Sequence, residues 1–434
     1  MPVLQPSEQK ELESFTLNSN LGEALTWSSI AAKPLVKGKS PQWILQKHVH
    51  VSANKGAGVL CSCWGVGQSP TKKEVIKMSR FMSPRFAGLE AYTPGEQPRD
   101  QQYVKLNTNE SPYPPSPEVV AAVSQAEVEL LNLYPDPTGK ALKEKLAKLY
   151  GVEAKNVFLS NGSDDILNFA FMAFCDSERG AAFPEISYGF YPVYADLYHV
   201  NSKVIPLQDD FSVNYKDYCG IGRMVVIANP NAPTGMEISL TEIEEILKSN
   251  PDNIVIIDEA YIDFGGTSCV DFIQKYDNLL VVQTFSKSRS MAGARLGFAI
   301  ADAGIIEDLE KIKYSTNPYN INRLTLAAGE AAVDSNEYYV ENAKKIAETR
   351  EMTTAKLREM DFTVLDSKAN FIFAKSNTIP GKLLYEELKK KGVLVRFFGK
   401  AKIEDFLRIT IGTPEQMNIM FEKIKEVEKE QKGA

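Results

Sequence analysis

The chain has 434 residues of which 44% are hydrophobic, enough for a sizeable core and more than one structural unit. Its formal net charge of −7 gives no basic footprint for nucleic acid or anionic lipid. There is no run of about 18 apolar residues to span a membrane, the N-terminus carries acids where a secretory signal would not, and five scattered cysteines form no disulfide framework. The expected compartment is the cytoplasm and the expected partners are small molecules, with no nucleic acid, membrane or metal.

The chain changes character near Met78. All three tryptophans (Trp27, Trp43, Trp64) and two of the three histidines (His48, His50) precede it, and amphipathic periodicity there is weak. His48 and His50 with Cys61 and Cys63 can be drawn as zinc ligands, but neither pair has the usual finger spacing. The codons available to Lys73-Glu74-Val75 include a bacterial ribosome-binding sequence just ahead of the Met78 codon. Residues 1–77 are therefore expected to be an extension outside the fold, with the natural start at Met78.

From residue 117 helical patterns alternate with short apolar runs, the signature of a wound α/β sheet. Strands are expected at Val157 to Leu159, Gly180 to Phe183, Met224 to Ala228, Ile254 to Ile257, Leu279 to Thr284 and Leu296 to Ile300. Helices are expected over Gly139 to Tyr150, Asp164 to Phe174 and Thr241 to Lys248. Beyond residue 325 a long helix (Tyr338 to Met360) leads into a smaller α+β unit. Its strands are expected at Thr363 to Leu365, Phe371 to Ala374, Val393 to Phe397 and Phe406 to Ile411, before a final helix to Lys429. The polar residues that follow the strands would converge on one crevice, because open α/β sheets bind ligands beyond the carboxyl ends of their strands.

Three segments at those strand ends carry chemistry. Lys287 follows an apolar strand, where partial burial would favour a neutral amine able to bond an aldehyde cofactor and move protons, although an isolated loop lysine is most often solvated. Asp258 ends the run Asn253 to Ile257; it suits either a cationic ring nitrogen or an ordinary turn cap. Tyr261, three positions on, offers a phenol to a ring oxygen. Ser160-Asn-Gly-Ser-Asp-Asp165 opens a helix and can seat a phosphate on free backbone N–H groups, with Ser286 and Arg295 closing the other side. His199 reads as a helix-surface residue.

These segments lie among the motifs Lys105-Leu-Asn-Thr-Asn-Glu-Ser-Pro-Tyr-Pro114, Leu133-Tyr-Pro135, Tyr188-Gly-Phe-Tyr191, Ala228-Asn-Pro-Asn-Ala-Pro-Thr-Gly235, Asp258-Glu-Ala-Tyr261, Thr284-Phe-Ser-Lys287, Ala294-Arg-Leu-Gly297 and Leu407-Arg-Ile-Thr410. In this order, over nearly all of residues 79–434, the chain resembles histidinol-phosphate aminotransferases, within the fold-type I pyridoxal-phosphate enzymes. The resemblance implies an α/β fold with an N-terminal arm (78–105), a large domain whose mixed, mostly parallel sheet is flanked by helices (106–325), and a smaller α+β C-terminal domain (326–434). It implies transamination between glutamate and histidinol phosphate, with pyridoxal phosphate as cofactor.

By the same resemblance Lys287 carries the cofactor and shuttles protons, Asp258 pairs with its ring nitrogen and Tyr261 with its ring oxygen. Ser163, Asp164, Thr284, Ser286 and Arg295 surround its phosphate, and Tyr188 stacks on its ring. Tyr134 reaches the phosphate of a neighbouring subunit, which implies a homodimer with shared sites. Arg408 holds the substrate anion, helped by Arg396 and Tyr92, while Asn109 and Asn370 line the substrate side. One position departs from the pattern: Ala232 stands where the family usually has an asparagine that reaches the ring oxygen, which leaves Asn231 or Tyr261 alone to hold it. Close rivals are a threonine-phosphate decarboxylase and an aromatic amino-acid aminotransferase. A cofactor-binding transcription regulator would need a fused DNA-binding domain, for which residues 1–77 show no helix-turn-helix pattern.

Overall fold

The computed structural model describes residues 82–86 and 88–432, so the expectations for residues 1–77, including zinc ligation and the start at Met78, lie outside the described residues. In chain order the strands are β1 (Val104–Lys105), β2 (Val157–Ser160), β3 (Ala181–Pro184), β4 (Ser202–Ile205), β5 (Met224–Ala228), β6 (Val255–Asp258), β7 (Leu279–Thr284), β8 (Gly297–Ala301), β9 (Phe362–Val364), β10 (Phe371–Ser376), β11 (Val393–Leu394), β12 (Arg396–Phe397) and β13 (Leu407–Thr410). The helices are α1 (Pro117–Ala122), α2 (Gln125–Glu129), α3 (Lys140–Tyr150), α4 (Ser163–Phe174), α5 (Phe190–Tyr198), α6 (Leu240–Ser249), α7 (Ala303–Thr316), α8 (Arg323–Asp334), α9 (Asn336–Glu359), α10 (Gly381–Lys390) and α11 (Pro414–Lys432).

Seven strands form the main sheet in the order β2-β8-β7-β6-β5-β3-β4, parallel except for β8, which runs antiparallel to both of its neighbours. Strands such as Met224–Ala228 and Leu279–Thr284 are buried along their whole length, because helices cover both faces of the sheet. Alternate residues point opposite ways. Val225, Ile227, Val255 and Ile257 pack with Leu142 and Leu146 of α3, Ile243 and Ile246 of α6 and Leu326 of α8. Val226, Ile256, Leu280 and Val282 pack with Ile166 of α4, Tyr191 of α5 and Leu309 of α7. Helix α6 starts in a capping box, with Ser239 and Glu242 satisfying each other's backbone N–H.

A second, antiparallel sheet, β12-β13-β10-β9, packs with α9 to α11 around its own apolar core. Here the expected single strand from Val393 to Phe397 is corrected. Val393 and Leu394 pair in parallel with Val104 and Lys105, whereas Arg396 and Phe397 pair antiparallel with Arg408 and Leu407. The segment changes sheets at buried Val395, so one apolar run serves two ladders. Strand β4 (Ser-Lys-Val-Ile) escapes sequence reading because, as an edge strand, it exposes three of its four residues and lacks an apolar run.

Candidate active site

An open cavity of about 590 Å³ lies beyond the carboxyl ends of β5, β6 and β7. Of the residues singled out in the sequence, it brings together Lys287, Asp258, Tyr261, Ser163, Asp164, Tyr188, Thr284, Ser286 and Arg295.

Asp258 is the last residue of β6, paired with Ala228 and Val282 and almost wholly buried. Its Oδ2 accepts a hydrogen bond from the Tyr191 hydroxyl (2.8 Å) and its Oδ1 one from the Ala260 N–H (3.2 Å). Burial pushes its carboxyl up to about 6, against the pull of those two donors and of the Lys287 charge. Across the cavity the Lys287 amine stands 5.6 Å from the centre of the Tyr261 ring, with no ion pair among the described residues. The Tyr261 ring meets Phe371 edge-on at 4.9 Å. Its hydroxyl accepts from Asn109 Nδ2 (3.1 Å), which leaves its own hydrogen free to donate elsewhere.

The opposite end is a cradle built by backbone. Gly162 (φ +91°) precedes α4, and a Cβ there would lie 2.7 Å from Arg295 Nη2; a Cβ on Gly297 would lie 2.4 Å from the Ser163 nitrogen. Side chains at either glycine would close the approach to the N–H groups that open α4. Arg295, itself left-handed (φ +57°), bonds Asp164 Oδ2 at 3.0 Å, and the Tyr188 hydroxyl donates to Asp164 Oδ1 at 2.6 Å. Thr284 Oγ1 donates to Ser286 Oγ (3.0 Å) on the facing wall.

Beside this cavity stand two arginines. Arg408 donates through Nη2 to the Asn107 carbonyl (3.0 Å), while its buried Nε has no partner among the described residues. Burial and the nearby Arg396 charge both disfavour the charged guanidinium, while the electrostatic influence of Tyr261, Tyr92 and Tyr188 favours it. Arg396 reaches the carbonyls of Thr93 and Pro94 (3.1 and 3.2 Å), and Tyr92 stacks on Phe190 at 4.2 Å. Asn370 donates to the Asn109 carbonyl (3.0 Å) and so braces the site from behind.

Of the residues expected to bind the cofactor, two are not among those lining the cavity, and the substrate-side residues Arg408, Arg396, Tyr92, Asn109 and Asn370 stand outside its lining as well. Asn231 is buried and its amide is committed to its own loop: Nδ2 donates to the Ile186 carbonyl (2.9 Å) and Thr234 Oγ1 (3.1 Å), and Oδ1 accepts from Ser187 (2.7 Å). It therefore does not stand in for the asparagine that Ala232 replaces; Ala232 itself lines the wall. Tyr134 is 77% exposed and stacks on Tyr319 at 4.4 Å, outside this cavity. Sequence reading quoted the motif that contains Tyr191 yet assigned only Tyr188; the three-residue spacing of two tyrosines at a helix start was the available signal. It also passed over Glu259, a fully buried carboxyl pushed up to about 7 by burial, which accepts from Ser268, the Cys269 N–H and Gln283 beneath the floor.

These residues fit pyridoxal phosphate. A buried acid faces the cavity, a lysine amine stands across it, a phenol has a free hydrogen, and a glycine-lined helix start offers an anion seat.

The family model for aminotransferases of class I and II matches residues 101–424. The histidinol-phosphate aminotransferase of Brachyspira hyodysenteriae is 52% identical over 349 residues, spanning 80% of this chain and 99% of that protein. The histidinol-phosphate aminotransferase of Clostridium acetobutylicum is 49% identical over 349 residues, with the same shares. The crystal structure of histidinol-phosphate aminotransferase from Sinorhizobium meliloti in complex with pyridoxal-5′-phosphate has the same fold: TM-score 0.72, 20% identity, 81% of this chain and 99% of that one. The chain thus belongs to the class I and II aminotransferases, in the histidinol-phosphate aminotransferase family.

Proposed function

We propose that the chain transfers an amino group between glutamate and imidazole-acetol phosphate, giving histidinol phosphate and 2-oxoglutarate, in the cytoplasm and as a homodimer. The observation that carries the substrate reading is the buried Nε of Arg408, without a partner among the described residues, beside the Arg396 charge. Two neighbouring cations and an unused donor call for an anion, and a guanidinium fork suits both the carboxylate of glutamate and the phosphate of histidinol phosphate. A homodimer is supported by the apolar surface of Val120, Val128, Leu131 and Leu133, which leads into exposed Tyr134.

Bound pyridoxal phosphate supplies an electron sink for the bond that breaks at the substrate Cα. Lys287 would supply the amine that holds the cofactor and, when free of it, would carry a proton between the substrate Cα and the cofactor's C4′ carbon. Asp258, as a carboxylate, keeps the ring nitrogen protonated. Tyr261 donates its free hydrogen to the ring oxygen, and the α4 N-terminus with Arg295, Thr284 and Ser286 holds the phosphate. Tyr92, stacked on Phe190 and tilted against the cavity-lining Tyr188 at 6.4 Å, would shield that edge of the cavity from water.

The test is product analysis with purified protein and pyridoxal phosphate. Glutamate with imidazole-acetol phosphate is expected to yield histidinol phosphate and 2-oxoglutarate in equal amounts. Carbon dioxide released from threonine phosphate without glutamate, with no amino transfer to the imidazole substrate, would replace this reading by the decarboxylase.

A further inference from the structure

We propose that Tyr191 is a positioning residue for Asp258: its buried hydroxyl holds that carboxyl group in the charged form and turns its remaining lone pairs to the cavity. The proposal rests on the cofactor reading above.

Tyr191 sits in the first turn of α5, fully buried, and donates to Asp258 Oδ2 at 2.8 Å. The Ala260 N–H takes Oδ1 at 3.2 Å. A carboxylate has about four acceptor positions, so two remain for a cation in the cavity. The donor cannot turn away. The Tyr191 ring is wedged edge-on against Tyr188 (5.7 Å) and tilted against Phe183 (6.0 Å), and burial drives its phenol well above its usual ionisation, so it stays an O–H donor at any working pH.

The other phenols of this stretch go elsewhere. Tyr188 donates to Asp164 Oδ1, Tyr194 to the Asp164 carbonyl (2.9 Å) and Tyr198 to Asn168 Oδ1 (2.7 Å). Thus α5 and the turn that leads into it are stitched to α4 by three hydroxyls, while Tyr191 alone of the four reaches Asp258. The charges that face Asp258 are Lys287, which favours its ionised form, and Asp164, which opposes it; the phenols of Tyr188 and Tyr261 stand beside Tyr191. With the charges acting in opposite senses and the carboxyl buried, the hydroxyl is a principal term favouring ionisation.

Phenylalanine at 191 would keep the ring packing and remove only this donor. The experiment is titration of the apoprotein with pyridoxal phosphate, followed by fluorescence, from pH 5 to 8.5. In the parent, affinity should fall with acid as Asp258 takes up a proton. In Tyr191→Phe that limb should move up by about one pH unit, so that affinity is about 10-fold weaker within the shifted window and equal to the parent at pH 8.5. In an Asp258→Asn background the limb should vanish and Tyr191→Phe should add nothing. A 3-fluorotyrosine at 191, a stronger donor of nearly the same shape, should move the limb to lower pH, and this decides the matter should Tyr191→Phe not fold. An unshifted limb in both variants, or a loss uniform across pH, overturns the proposal. Failure of the parent itself to bind pyridoxal phosphate at any pH overturns both the proposal and the cofactor reading.

Discussion

The two sides of the cavity are built differently. The cofactor side is made of residues at strand and helix ends of one sheet, and most of its polar groups already have partners: Asp258 with Tyr191 and Ala260, Asp164 with Arg295 and Tyr188, Thr284 with Ser286. The substrate side is assembled from distant parts of the chain. Arg408 on β13 bonds the carbonyl of Asn107, Arg396 on β12 bonds Thr93 and Pro94, and the buried Nε of Arg408 has no partner among the described residues. A seat already satisfied can hold one group permanently. A seat with a donor unused has room for an anion, and an enzyme with two successive substrates needs a seat that can take each in turn.

Changes on the cofactor side should therefore strike turnover, and the largest effect belongs to Lys287. Lys287→Ala is expected to lower turnover by roughly 10⁴-fold, measured as 2-oxoglutarate formed per second, and to remove the yellow absorbance of the loaded enzyme. Retained absorbance would move the cofactor to another amine and break the contrast at its centre. Asp258→Asn should cost roughly 10²–10³-fold in kcat. Its carboxyl ionises at about 6 in the empty fold, above its usual value. The sign follows: a raised carboxyl makes its contribution to stability in acid and loses it as pH rises through about 6. The empty parent should thus lose thermal stability from pH 4 to 7 relative to Asp258→Asn, while cofactor capture by the parent runs the opposite way. Parallel melting curves for the two proteins across that range would remove the ionised carboxylate from the floor.

The same difference governs what could be read from the sequence. Met224–Ala228 and Leu279–Thr284 were legible to the residue because a strand buried on both faces is an unbroken apolar run, and the functional groups follow directly at its end. That rule brought Asp258 and Lys287 to notice, and the resemblance supplied their expected roles. Arg408 was placed by resemblance alone, since nothing local ties it to Asn107, 301 positions away. Val393 to Phe397 misled because hydrophobicity records burial, not which ladder a strand joins. Tyr191 was missed because a buried tyrosine looks like core until its hydroxyl is found on Asp258, 67 positions on. Asn231 was offered by the resemblance as a stand-in for the asparagine missing at Ala232, whereas its amide closes the loop that carries it.

On the substrate side the expected signature is in KM. Arg408→Ala should raise KM for histidinol phosphate by about 10- to 100-fold, the weight of one to two charge-assisted bonds, and weaken glutamate alongside it, since both anions use the same fork. Loss confined to one of the two substrates, read from separate half-reactions, would divide the seat between Arg408 and Arg396 and sharpen the account accordingly.

The smallest effect tests where the two sides meet. Ala232 lines the cavity and offers no donor, so on the proposed reading the ring oxygen would depend on Tyr261, whose hydroxyl is oriented by Asn109. That orientation is fixed: Asn109 is left-handed (φ +56°), and Thr410 Oγ1 both accepts from its N–H (3.0 Å) and donates to its Oδ1 (2.9 Å), which leaves Nδ2 for Tyr261. Ala232→Asn adds a second donor at the wall of an open cavity. One further hydrogen bond of about 1 kcal/mol should tighten pyridoxal phosphate about fivefold in equilibrium titration. Asn109→Ala should then cost less in the Ala232→Asn background than in the parent, because the oxygen no longer hangs on one phenol. Equal costs in both backgrounds would mean that Asn109 acts on the substrate side alone, and that the single-donor account of Ala232 is wrong.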